Sequence, residues 1–139
     1  MPTPTDNVAL LKTAYSEWAG KKGADLDCWL NIVDDGACAR SLAKGAPEMT
    51  FTRERINKDE IRGYLQELTR DWEMITYDMD DFIAQDDRVV VIGNVAWRNK
   101  ATGKVAETPK VDIWRFRDGK VVEFAEFYDT ARSFAAAVP

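Results

Sequence analysis

The segment from Val111 to Thr130 constrains this chain more than any other. Val111-Asp112-Ile113-Trp114-Arg115-Phe116-Arg117 and Lys120-Val121-Val122-Glu123-Phe124-Ala125-Glu126-Phe127-Tyr128 are rich in β-branched and aromatic residues, and only Asp118-Gly119 separates them. Asp-Gly accepts the positive φ angles of a tight hairpin turn, so the two runs read as paired antiparallel strands. Asp112 interrupts the first strand two places before Trp114, and Glu126 stands among aromatics in the second. A carboxylate in the apolar part of a sheet costs free energy unless it is paired or used chemically. The hairpin therefore anchors the fold and marks where chemistry would sit.

The rest of the chain supplies helices first and strands afterwards. Val8, Leu11, Tyr15 and Trp18 recur at helical spacing between about Asp6 and Gly20. A short second helix is expected from Asp25, with Leu26, Trp29, Leu30 and Val33 inward, stopped by Asp34-Asp35-Gly36 ahead of a short strand from Ala37 to Leu42. Asn57 and Glu60 resemble a capping box, and the helix they open carries Ile61, Tyr64, Leu65, Leu68 and Trp72 on one face. The period then becomes two: Ile75, Tyr77 and Met79 alternate with polar residues, Asp86-Asp87 turns the chain, and Arg88 to Arg98 forms a second strand. After a turn from Asn99 to Lys104 comes the hairpin, and then a short apolar tail, Ala131 to Val138, expected to pack across an edge. Strands segregated from helices mean an α+β fold. On the last strand Val122, Phe124 and Tyr128 are expected on one face and Val121, Ala125 and Phe127 on the other. One face can pack under the helices; the other needs a cover, and a second copy of the sheet is the simplest, so a homodimer is expected.

With 139 residues, the chain is expected to be a single domain, 1–139. Its charge of −5 and its scattered basic residues argue against nucleic acid as a partner. No apolar run approaches a membrane span, and the N-terminal residues lack a signal peptide's pattern, so no membrane partner and a cytoplasmic location are expected. Cys28 and Cys38 match no metal or redox spacing and read as thiols. The chain has no histidine, which removes Ser-His-Asp, Cys-His and imidazole acid/base chemistry. The acidic pairs Asp34-Asp35, Asp80-Asp81 and Asp86-Asp87 read as element ends, and no metal site is expected. Catalysis would have to run on carboxylates, tyrosine, lysine, arginine or water.

Asp112-Ile113-Trp114-Arg115-Phe116, Asp118-Gly119-Lys120 and Glu126-Phe127-Tyr128-Asp129, with the Tyr15 helix, Asp34-Asp35-Gly36 and the Asn57 helix, resemble the nuclear transport factor 2-like superfamily, in its SnoaL-like and ketosteroid-isomerase-like branch. The resemblance covers nearly the whole chain. It implies a curved, cone-shaped antiparallel sheet wrapped by three N-terminal helices around a pocket, with no cofactor. It is specific for fold and poor for function, because such folds host isomerases, cyclases, hydrolases, dehydratases and non-enzymes. By position Tyr15 and Asp112 match the isomerase oxyanion-hole pair, a case in which a carboxylic acid stays neutral near pH 7. The isomerase base falls at Arg40, which cannot accept a proton at neutral pH. Glu126 matches the last-strand acid of limonene-type epoxide hydrolases, but Gly93 and Val95 stand where their Arg-x-Asp would be.

Tyr15, Asp112 and Glu126 are therefore the candidate catalytic residues, and a small apolar or aromatic ligand is the expected partner. Trp18, Trp97, Trp114, Phe124 and Tyr128 are candidate pocket walls, whereas Trp29 and Trp72 read as core. Arg40 reads either as an anchor for an anionic ligand group or as the ion-pair partner of Asp112. Glu126 reads either as a base or as a buried acid held by Arg98 or Lys110.

Overall fold

In the computed structural model, which describes residues 2–139, helices precede strands. Helix α1 (Pro4–Gly20) starts at a capping box in which Thr3 accepts from the Asp6 amide and the Asp6 carboxylate accepts from the Thr3 amide. It buries Leu11, Ala14, Tyr15 and Trp18. Helix α2 is one turn, Asp27–Leu30, and strand β1 follows at once, Val33–Ser41. A 3₁₀ segment, Pro47–Thr52, leads to helix α3, Lys58–Asp71. Asn57 caps α3 by accepting from the Glu60 amide, while Glu60 reaches back to the Ile56 amide. Strands β2 (Trp72–Gln85), β3 (Arg88–Asn99), β4 (Val105–Arg117) and β5 (Lys120–Tyr128) form a meander, and helix α4 (Thr130–Ala137) closes the chain. This is the expected α+β order.

The sheet runs β1-β5-β4-β3-β2, antiparallel except where β1 pairs parallel with β5. The hairpin turn has positive φ at both Asp118 and Gly119, as the dipeptide predicts. On β4, Ala106, Thr108, Lys110, Asp112, Trp114 and Phe116 are all buried, a strict period of two that faces one side of the sheet toward α1 and α3. The core lies between that face and the helices, around Leu11, Tyr15, Trp18, Trp29, Leu65, Val91 and Trp114.

Four local expectations are corrected. Asp34-Asp35-Gly36 does not end a helix; it lies inside β1, where the register with β5 shifts between Val33 and Cys38. Asp80-Asp81 likewise lies inside β2, at a register shift between Met79 and Asp81, because a bulge tolerates residues that look like a turn. The apolar tail, expected across an edge, is a helix capped by the Asp129 side chain on the Arg132 amide, and it packs on β4 and β3 within the sheet. On β5, Phe116 pairs with Val121 but Arg115 pairs with Glu123, so Val122 is an extra residue. The bulge puts Val121, not Val122, on the face of Phe124, Glu126 and Tyr128.

Candidate active site

That bulge assembles the site. Without it Asp112 would oppose Ala125; with it Asp112 and Glu126 are cross-strand partners on the inner face. Lys110, two residues before Asp112 on the same face, completes the group. Its Nζ lies 3.2 Å from Asp112 Oδ1 and 3.1 Å from Glu126 Oε1. It also donates to the Tyr77 hydroxyl at 3.1 Å. Tyr64 on α3 donates to Glu126 Oε2 at 2.6 Å, and Tyr15 on α1 donates to Asp112 Oδ2 at 2.5 Å. Trp114 Nε1 in turn donates to the Tyr15 hydroxyl at 2.9 Å. The ammonium approaches Asp112 Oδ1 at ion-pair distance but outside hydrogen-bond alignment, so this buried oxygen has no aligned donor.

These three charges sit beside a cavity of about 120 Å³. Space of that size holds on the order of ten waters or one small ring system. Its walls are rich in aromatic rings, among them Trp18, Trp97, Trp114, Phe124 and Tyr128, and also Trp29, Trp72, Phe51 and Tyr77. The polar groups concentrate at Lys110, Asp112 and Glu126. An apolar enclosure with a few convergent polar groups is the usual form of a small-molecule site.

Low dielectric sets the protonation of the cluster. Burial pushes the Asp112 carboxyl above its ordinary value, and the charge of Glu126 adds to this, while Lys110 and the Tyr15 hydrogen bond oppose it. Burial alone would lower Lys110, but Asp112, Tyr77 and Glu126 raise it further, so it stays an ammonium. Burial also holds Tyr15, Tyr64 and Tyr77 well above the ordinary phenol range, each as a neutral hydroxyl. Cys28, pushed up to about 12 chiefly by burial, stays a thiol, and both cysteines are free.

The sequence-derived candidates divide by position. Asp112 and Glu126 line the cavity together. Tyr15 does not line it; packed edge-on against Trp29 with ring centroids 4.9 Å apart, it stands behind Asp112 and orients that carboxyl. Arg40 is the correction: it is exposed, faces away from this cavity and makes no ion pair with Asp112. Its strand neighbours Ala39 and Ser41 are the buried ones, so period two turns Arg40 outward. Arg98 also points elsewhere, pairing with Glu73, and the cation that holds Glu126 is Lys110. Lys110, Tyr64 and Tyr77 were missed as site residues. The signal for Lys110 was the same alternation that placed Asp112 inward.

Residues 13–124 match the model of the SnoaL-like domain. The chain belongs to that family. No curated protein matches it. Among solved structures it is similar to a nuclear transport factor 2-like protein from Burkholderia thailandensis, at 24% identity and TM-score 0.81 with 100% of each chain covered. It is similar to TerC, co-crystallized with polyporic acid, at 20% identity and TM-score 0.78, covering 97% of this chain and 98% of that one. A ketosteroid isomerase-like protein from Catenulispora acidiphila in complex with trimethylamine aligns at 12% identity and TM-score 0.72, covering 94% of this chain and 93% of that one. At these identities the SnoaL-like chain shares a fold with them.

Proposed function

We propose that this SnoaL-like chain, acting as a single domain over residues 1–139, binds a small, largely aromatic molecule in its cavity. There it carries out cofactor-free proton transfer of the isomerase, cyclase or dehydratase kind. The observation that carries the reading is the placement of two carboxyls, Asp112 and Glu126, on one buried ammonium at the polar end of an aromatic cavity. Glu126 takes a proton from carbon, Asp112 supplies or holds one, and Tyr15 positions Asp112. Lys110 limits the charge of the pair, and the tryptophans orient the ring of the substrate. TerC, co-crystallized with polyporic acid, supports a small-molecule ligand.

A second reading has its own support. Lys110 contacts both acids, so the cluster is largely paired within itself, as a non-catalytic binding module would have it. One experiment separates the two. In D₂O, 2-indanone exchanges its α-protons through an enolate, and proton NMR follows the loss of signal. The enzyme reading expects acceleration by the protein, reduced about 100-fold or more in Glu126→Gln, the usual range for a general base. If 2-indanone binds but its exchange is not accelerated, the binding-module reading stands and catalysis is abandoned. We also propose that a second copy of the chain covers the outer face of the sheet.

A further inference from the structure

Each tyrosine near the cluster spends its hydroxyl differently. Tyr15 donates to Asp112 and Tyr64 donates to Glu126. Tyr128 shares a hydrogen bond of 2.6 Å with Ser41 Oγ. Tyr77 accepts from Lys110 Nζ and, among the described residues, donates to no protein atom. Its ring lines the cavity, held edge-on by Trp97 at 6.3 Å and Trp18 at 6.5 Å between centroids. The ammonium that donates to it makes three polar contacts of 3.1–3.2 Å, to Asp112, Glu126 and Tyr77 itself. The charge of Lys110 is thus engaged by protein groups, while the Tyr77 proton has no protein acceptor among the described residues.

We infer that Tyr77 is the ligand's hydrogen-bond donor in this site, and that the group it recognises is a carbonyl oxygen on a small aromatic or ring-fused molecule. The inference rests on the reading of the cavity as an aromatic small-molecule site. It moves the donor from Tyr15, whose proton is committed to Asp112, to a residue on β2. A hydroxyl that accepts from an ammonium is polarised toward donation, because hydrogen bonds in series strengthen one another at low dielectric. Lys110, which also lines the cavity, therefore tunes Tyr77. A carbonyl fits better than a carboxylate. One ammonium already faces two acids, and a third anion beside them would lack a counter-charge. The carbonyl also needs only the single donor that Tyr77 offers, and its neighbouring carbon can face Glu126. An ether or a hydrocarbon of the same shape gains less or nothing from that donor.

The test compares 2-indanone with indane, its counterpart without the oxygen. Binding is read by quenching of the five tryptophans, all of which line the cavity. The wild-type protein is expected to prefer 2-indanone by about fivefold to tenfold, the worth of one net hydrogen bond. Tyr77→Phe is expected to bring the ratio of affinities near one. A change in cavity shape alone would move both ligands together and leave the ratio intact. The second readout is the infrared carbonyl stretch of bound 2-indanone, expected to shift down in the wild type and return in Tyr77→Phe. If the phenylalanine variant does not fold, Tyr77→3-fluorotyrosine keeps the shape and makes a more acidic donor, so the downward shift must grow. An oxygen preference that survives in Tyr77→Phe, or a stretch indifferent to fluorination, overturns the assignment. Equal binding of indane and 2-indanone by the wild type also overturns it, yet leaves the aromatic cavity standing. Binding of neither removes the proposed function and this inference with it.

Discussion

At the scale of single residues, Lys110 is the side chain on which the site depends. It is 8% exposed and sits between two acids that are 1% and 5% exposed. Removing one partner from a buried ion pair leaves an uncompensated charge, which costs about 3–5 kcal/mol. Lys110→Met keeps the chain length and removes the ammonium, so urea unfolding at pH 7 should show a loss of that order. The pH dependence has a definite sign. The folded-state value of Asp112 lies above its ordinary 3.8, so its contribution to stability is full below that pH and is lost as pH rises through the raised value. Lys110 opposes that rise in Asp112, and without it the value climbs further. The gap between variant and wild type should therefore narrow as pH falls toward 4 and widen toward 7. A gap independent of pH would mean that Lys110 acts through packing of its stem alone.

At the scale of elements, the irregularities of the strands matter more than their regular parts. Gly93 on β3 pairs with Met79 at the bulge of β2. A Cβ there would lie 2.6 Å from Met79 Cα and closer still to the Asp78 carbonyl oxygen, both backbone atoms that cannot step aside cheaply. Gly93→Ala should destabilise the protein by about 3 kcal/mol, the upper part of the range for overpacking, read as a drop in the urea midpoint at unchanged slope. Such irregularities are also where reading the sequence stopped. The helix at Asn57, the Asp-Gly hairpin and the alternation of β4 were legible, because capping, turn chemistry and period two are local rules. The bulge at Val122 was not, since an extra residue in a strand follows from closure of the whole sheet and leaves no mark in its neighbours. Asp112 and Glu126 were legible as acids in strands, but their pairing needed the register that this bulge sets. Arg40 was misplaced through resemblance to a family position, although its alternation with Ala39 and Ser41 already pointed outward.

At the scale of the whole molecule, no element among the described residues covers the outer face of the sheet. Val90, Ile113 and Ala125 form one cross-strand row on it, and Ile92, Val111 and Phe127 form the next. Phe127 is 40% exposed and Ile92 37%, while the other four are half-buried. Six apolar residues in adjacent rows over three strands make a contiguous patch of the kind that monomers seldom leave in water. Arg115 and Glu123 pair at its edge. The face is apolar enough to be self-complementary, whereas the inner face is already filled by α1, α3 and the cavity walls. Sedimentation velocity on the wild type should give a dimer. Phe127→Arg places two like charges near the axis and should shift the protein to monomer, because like charges meeting across a two-fold contact repel in a desolvated setting. Quenching by 2-indanone should persist in that variant, since no residue of the outer rows lines the cavity. A wild type that sediments as a monomer at all concentrations would leave the outer face to water and remove the second copy from the proposal.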